Sequence, residues 1–486
     1  MGRGAQPRGG GRVSPPRAVV VGGGLAGLSA ALTLVDGGAD VVLLEARPRL
    51  GGATWSFQRN GLSFDNGQHV YMRCCTAYRR FLRRIGSEED APLRGPLQIP
   101  VLRPVPGAEP AVAWLRRDSL PAPLQLGRAL SRYRHLRPAD RARLGAAVLA
   151  LRRLRITDPS LDAETFGSFL ARHGQSEASV EALWDLITLP TLNVRAREAS
   201  LAPAAKVFRT GFLAEPDAAD LGWARVPLGR LHGDAAATAL RRAGAAVRRR
   251  EKVEALSFSP VAGSERAVVG VVVGGESLAA DAVVLAVPHE AAADLLPPGG
   301  AVEPRALAGL GRSPIVDVHL VYDRKILDHP MAAAVGSPAQ YVFDTTASSG
   351  LPPEEGQCVA VSVSGADAEH GEPPARLVER YRAALVELFP RARTARVIDA
   401  VVTREHSATF RATPGTARLR PRPDSGIPGL YLAGAWTDTG WPATMEGAVR
   451  SGVAAGAMAL RRLGRARALA GGRAGSEADL SEEGVA

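Results

Sequence analysis

Cysteine is scarce in this chain: its 486 residues hold three, Cys74, Cys75 and Cys358. Cysteines adjacent in sequence rarely pair with each other, and no CxxC spacing for a metal or a redox couple occurs. A disulfide scaffold and a zinc module are thereby excluded; no metal is expected, and a reducing, cytoplasmic setting is. Lysine is as scarce, with only Lys206, Lys252 and Lys325. The net charge of +11 is therefore carried almost wholly by arginine. In a chain rich in Ala, Gly and Pro, that charge reflects composition before it reflects an acidic partner. Aromatic residues make up 5%, too few to interleave with the basic ones, and no nucleic-acid partner is expected. No run of about 18 apolar residues occurs, so no transmembrane helix is expected. The Gly/Arg/Pro-rich N-terminus lacks the apolar stretch of a secretory signal. Residues 1–16 read as a disordered arm and 464–486 as a disordered tail.

What is present begins at Arg17. Ala18-Val19-Val20-Val21 is a short buried strand, and Leu28-Ser29-Ala30-Ala31-Leu32-Thr33-Leu34 has a helical pattern that Gly37-Gly38 ends. Val41-Val42-Leu43-Leu44-Glu45 is a second strand. Between the first strand and the helix lies Gly22-x-Gly24-x-x-Gly27. In a strand–turn–helix setting this spacing binds a dinucleotide. Gly22 allows the tight turn, Gly24 lets the backbone approach a pyrophosphate, and Gly27 permits close helix packing. The helix start, Leu25 and Ala26, favours the anion electrostatically. Glu45 ends the next strand where a carboxylate accepts from a ribose hydroxyl, and Ala46 and Arg47 follow it. A second glycine pair, Gly51-Gly52, comes shortly after.

Near the other end, the strand Gly429-Leu430-Tyr431-Leu432-Ala433 runs into Gly434-Ala435-Trp436-Thr437-Asp438. A helix then begins about Thr444-Met445-Glu446. Small residues here let the backbone lie against a flat ring, and a second helix N-terminus faces it. Between the two ends, residues 77–224 are mostly helical in pattern, 225–300 return to α/β, and 301–410 alternate strands with a helix. Three nucleotide-domain segments, 17–76, 225–300 and 411–463, are thus separated by two insertions that form a second domain.

Both ends resemble the FAD enzymes of the amine oxidase and phytoene desaturase superfamily. That resemblance implies an α/β fold: a three-segment Rossmann-like FAD-binding domain with an inserted α+β substrate domain. Two positions depart from the usual pattern. Ala53 stands where an arginine commonly contacts the pyrophosphate, and Ala435 where an aspartate commonly follows the glycine. The resemblance adds Val253 to the cofactor contacts, beside Gly434, Thr444, Met445 and Glu446. Within the superfamily, Phe64-Asp65-Asn66-Gly67-Gln68-His69, Leu120-Pro121-Ala122-Pro123-Leu124, Pro314-Ile315-Val316 with His319-Leu320, and Gly440-Trp441-Pro442-Ala443-Thr444 resemble hydroxysqualene dehydroxylase.

This narrower resemblance implies reductive loss of a hydroxyl from an apolar isoprenoid in squalene and hopanoid synthesis. The alternatives are a carotenoid desaturase passing electrons to quinone or oxygen, and a flavin amine oxidase. Reduction needs a proton at the leaving oxygen. Asp65 and His69 are the candidate acids; an Asx turn and a packed histidine are the competing readings. Trp436 and Trp441 are candidate substrate-lining residues, with core packing as the competitor. No second GxGxxG occurs at a strand–helix junction, so an external electron donor is expected. Residues 115–155 are dense in Arg and Leu, which suits peripheral contact with the inner face of an anionic membrane.

Overall fold

The computed structural model describes residues 15–259 and 267–464. The expected terminal arm and tail, except residues 15, 16 and 464, lie outside the described residues.

A five-stranded parallel sheet gathers strands from distant parts of the chain. Its order is Leu430–Leu432, Ala282–Leu285, Arg17–Val21, Asp40–Glu45, Ala246–Arg249. The sequence reason is visible in each strand. Val19-Val20-Val21 and Ala282-Val283-Val284-Leu285 are continuous apolar runs, buried along their length, as strands covered on both faces require. The sheet grows in opposite directions from Arg17–Val21, which makes the carboxyl end of that strand the switch point where ligands bind in such folds.

Two helices pack together on this sheet, Leu25–Asp36 and the closing helix Met445–Arg462. Gly452 and Gly456, one turn apart, let them touch. A Cβ on Gly452 would lie 2.0 Å from the Ala26 carbonyl oxygen, and one on Gly456 would lie 3.0 Å from Thr33 Cβ.

The second sheet has seven strands, in the order Val397–Thr409, Ser313–Tyr322, Gln357–Ser364, Tyr341–Asp344, Met331–Ala334, Gln98–Arg103, Ala111–Arg116. Its central strand alternates. Val316, Val318 and Leu320 pack with Leu377, Tyr381 and Leu385 of the helix Pro374–Leu388. Ile315, Asp317, His319 and Val321 take the opposite face, as the period of two demands. That face meets the hairpin Ser56–Arg59/Leu62–Asp65: Phe64 packs with Val321 and stands edge-on to His319 at 5.5 Å. Further along, Phe343, Met331 and Val101 join Phe166, Trp184 and Phe208 of the helical insertion in one core.

The stretch expected to be mostly helical thus also holds the antiparallel pair Gln98–Arg103/Ala111–Arg116. Six residues per strand, with Pro100 inside the first, are too short to register beside the long helical pattern that follows.

The helix contact gives the first expectation. Gly452→Val should lower unfolding stability by about 1–3 kcal/mol through overpacking, read as a lower denaturant midpoint. An unchanged midpoint would show that the two helices can separate freely.

Candidate active site

The first turn is built by exclusion of side chains. A Cβ on Gly27 would sit 1.8 Å from the Gly22 carbonyl oxygen, and one on Gly22 would sit 2.5 Å from that of Ala286. Gly22 also takes φ +105°, where only glycine is unstrained. The second glycine pair is zipped to the first: Gly51 N–H donates to Gly23 O at 2.8 Å, and Gly24 bridges Gly51 in parallel. Gly24 itself is open, with nothing nearer to its missing side chain than Gly52 Cα at 3.7 Å.

Glu45 closes this cradle. Its Oε2 accepts from Gly23 N–H at 2.7 Å and its Oε1 from Arg47 N–H at 2.8 Å. Each carboxylate oxygen has a second acceptor site, so Glu45 can still take a ribose hydroxyl. Val253 enters beside it, since Glu251 N–H donates to Glu45 O and Arg250 N–H to Arg47 O. Ala46 leads into this junction. No side chain caps the helix that starts at Leu25, so its first N–H groups remain available to an anion.

The closing motif approaches from the neighbouring strands. Ala433 N–H donates to Leu285 O, and Gly434 N–H to Ser451 Oγ at 2.8 Å. Thr444 caps the closing helix through Gly447 N–H, with Met445 as its first residue. This glycine cradle, the two helix N-termini and the ribose carboxylate fit a dinucleotide cofactor.

Several side chains have other work than the sequence suggests. Glu446 is buried; its oxygens accept from Ala77 N–H, Tyr78 N–H and Arg450 Nε. It anchors the start of the helix Thr76–Ile85 to the first turn of the closing helix. Trp436 is buried with Nε1 donating to Val287 O at 2.9 Å, which fixes its ring against the closing turn. Trp441 has cations near its ring, Lys206 at 5.1 Å and Arg450 at 4.9 Å. Asp438, the nearest aspartate to Ala435, is exposed and accepts from Gly440 N–H.

Arg420 went unnoticed in the sequence. Its Nη2 donates to Thr437 O at 2.6 Å and Trp441 O at 2.8 Å, holding the 435–441 turn from beneath. Burial pulls this guanidinium down to about 10. One arginine among so many carries no sequence signal.

The two candidate acids lie on and after the hairpin. Asp65 Oδ1 accepts from Ser56 Oγ at 2.6 Å and Leu228 N–H at 2.9 Å. Ser56 Oγ accepts from Gly229 N–H. Together they cap the helical segment that begins at Gly229. Burial pushes the Asp65 carboxyl up to about 6. His69 is half-buried and its Nδ1 lies 3.1 Å from Gly67 O. With the Nδ1 proton given to that carbonyl, Nε2 is an acceptor, and burial holds the ring neutral by lowering its pKa.

The sheet beneath supplies two further carboxyls. Glu405 Oε1 accepts from Trp55 Nε1 at 2.9 Å and Asn66 Nδ2 at 2.8 Å, with Arg49 over the Trp55 ring at 3.9 Å. Asp317 lies under Gly67. A charged residue inside Ile315-Val316-Asp317-Val318-His319 was the available signal, since strand interiors of this kind are otherwise apolar.

Comparison with known proteins decides the assignment. The profile of flavin containing amine oxidoreductases matches residues 25–458. The chain belongs to this family. It is an FAD-dependent oxidoreductase. This flavoenzyme is 30% identical over 443 residues to a hydroxysqualene dehydroxylase of Rhodopseudomonas palustris, covering 89% of this chain and 96% of that one. It is 29% identical over 460 residues to a hydroxysqualene dehydroxylase of Sinorhizobium fredii, covering 92% and 99%. Its fold matches that of cyclohexylamine oxidase from Brevibacterium oxydans, with a TM-score of 0.67, 20% identity, and 93% and 100% of the two chains covered.

The second expectation concerns Asp65. A carboxyl at about 6 in the fold, against an ordinary 3.8, binds its proton more tightly folded than unfolded, so stability falls as pH rises from about 4 to about 6. Asp65→Asn keeps the accepting oxygen and removes the charge. It should match the parent at pH 4, exceed it at pH 8 by roughly 1–3 kcal/mol, and keep its turnover. Lost turnover with flavin retained would restore Asp65 as the acid.

Proposed function

We propose that this flavoenzyme removes the hydroxyl of hydroxysqualene reductively, giving squalene and water. The observation that carries this reading is the likeness to two hydroxysqualene dehydroxylases over some nine-tenths of the chain. The site geometry agrees with it. Carboxyls and a histidine gather at one end of the sheet face, beside the hairpin. Phe343, Met331, Phe166, Trp184 and Phe208 form an apolar core at the other end.

When bound, FAD in its reduced form supplies the two electrons and the hydrogen that replace the hydroxyl. Gly22, Gly24, Gly27, Gly51 and Gly52 let the backbone meet its pyrophosphate, the starts of the helices at Leu25, Ala26 and Met445 favour its negative charge, and Glu45 takes a ribose. The protein must also direct a proton to the leaving oxygen, and its apolar wall must keep water from recapturing the allylic cation. Electrons come from an external donor.

A desaturase would run the opposite way on the same frame. An amine oxidase wants aromatic faces around an ammonium, and here the Trp441 ring has Lys206 and Arg450 as neighbours, which repel one.

The substrate enters from a membrane surface in this reading. The basic stretch is shorter than the sequence suggests. Arg116 ends a strand, and Arg117 pairs with buried Asp220 at 2.6 Å. Beyond it, Arg128, Arg132, Arg134, Arg137, Arg152 and Arg153 are exposed, and among the described residues none has a carboxylate within salt-bridge distance. Leu120, Leu124 and Leu149 are exposed close by in sequence. No helix of the described residues is long and apolar enough to cross a membrane.

Two measurements test these readings. Chemically reduced enzyme given hydroxysqualene without oxygen should form squalene as its flavin reoxidises; a flavin that stays reduced, with no squalene, would favour the desaturase. In vesicle flotation, changing Arg128, Arg132, Arg134 and Arg137 to Ser should weaken binding to anionic vesicles more than about tenfold, at about 1 kcal/mol per surface arginine. Unchanged flotation would place the membrane contact elsewhere.

A further inference from the structure

The strand face under the 66–69 loop holds an unusual set of polar atoms. Asp317 is 1% exposed, and neither of its carboxyl oxygens has a hydrogen-bond donor in bonding geometry. Thr403 is its direct partner across one ladder and Ser362 across the other. The Thr403 hydroxyl, the His319 Nε2 and the Gln68 side-chain nitrogen are also buried without partners. Buried polar atoms in native proteins are nearly always satisfied, so such a cluster on one face points to a water, a ligand group or a proton held there. An ionised carboxyl there would have only the Ser362 hydroxyl and the Gln68 amide nearby, neither in full bonding geometry, whereas a neutral one costs far less.

The surrounding titratable groups act in the same direction. Glu405 on the neighbouring strand and Asp65 on the hairpin both oppose a negative charge on Asp317, while the Ser362 hydroxyl and Gln68 amide offset only part of its burial. His319, two residues on, is held neutral by burial. The carboxyl is pushed up to about 7. A Cβ on Gly67 would lie 3.0 Å from Asp317 Oδ2 and 3.9 Å from His69 Cε1. The acid and the imidazole edge therefore flank one glycine, on the side where only glycine leaves them room.

We propose that Asp317 is the proton store for the dehydroxylation and acts through His69. This rests on the function proposed above. Asp317 is buried beneath the loop and acts in this proposal by way of the ring, so it is a positioning residue. In the step, His69 Nε2 takes the Asp317 proton as Nδ1 gives the proton it shares with the Gly67 carbonyl to the leaving oxygen, and the ring returns to its resting tautomer when the proton is replaced. The carbon–oxygen bond breaks, water leaves, and carbon gains hydrogen and two electrons from the reduced cofactor. Asp317 is left as a carboxylate and recovers its proton from solvent before the next turnover.

Asp317→Asn tests this in the flavin-loaded enzyme. Parent single-turnover rates should fall as pH rises through about 7. The variant should be at least about 100-fold slower at pH 6, the lower end of a general acid's contribution, and flat with pH, with flavin absorbance and unfolding midpoint kept. Infrared difference spectra, which need no substrate, should show the carbonyl stretch of a protonated carboxyl in the parent at pH 6 that disappears by pH 9. That band should persist in Asp65→Asn, which removes the other raised carboxyl, and vanish in Asp65→Asn/Asp317→Asn. An Asp317→Asn enzyme with the parent's pH profile, or a band that survives in the double variant, would overturn the proposal. If Asp317→Asn does not fold, Asp317→Glu should shift the band and keep the pH limb, and an unmoved band would overturn it. A parent that makes no squalene, with the band titrating as described, would instead overturn the dehydroxylase reading.

Discussion

The absence of side chains at one turn is the constraint on which the rest of this structure depends. Gly22 and Gly27 bring strand and helix so close that a single Cβ would strike a carbonyl oxygen at 1.8 Å. That closeness aims the helix N-terminus at the switch point of the parallel sheet. It also exposes the small-residue face of the first helix, and Gly452 uses it: the closing helix approaches until a Cβ would lie 2.0 Å from Ala26 O. Through the closing helix the effect continues. Glu446 reaches from its first turn to the amides of Ala77 and Tyr78, so the start of the helical insertion is fixed from the nucleotide side.

A second set of contacts joins the two sheets, and it is electrostatic. Glu405 on the edge strand of the seven-stranded sheet takes hydrogen bonds from Trp55 and Asn66. Those residues flank the hairpin whose Asp65 and Ser56 cap the segment beginning at Gly229. The loop bearing His69 is therefore held from the sheet below and from the helix beside it. Carboxyls accomplish this because they accept several donors at once, and burial strengthens each bond by excluding water.

The fold was legible where local sequence and global role coincide. Val19-Val20-Val21, the glycine turn and Glu45 each have one plausible use, and together they specify the parallel sheet and its ligand. Site chemistry was legible only in part. Glu446 looked like a cofactor residue because an acid in a first helical turn is favoured there anyway; besides Arg450 one turn on, it holds amides some 370 positions away, where no local pattern points. Arg420 was hidden by the abundance of arginine. Asp317 was in plain view as a charge inside an apolar strand, yet its meaning depends on Gly67, Thr403 and Ser362, which only the sheet register brings to it.

The same reasoning explains why a chain with this cofactor frame can suit reduction. The glycine turns and helix ends have no preference between removing electrons from a substrate and adding them. What differs is whether a proton stands ready at the reacting end. A neutral carboxyl in a donor-poor site offers one, and the charge left behind is opposed by Glu405 and Asp65, so it draws a proton back. An exposed aspartate such as Asp438, bonded to a turn amide, lacks this burial. In the proposal made for Asp317, the proton is held on the seven-stranded sheet and the electrons by the cofactor on the parallel sheet.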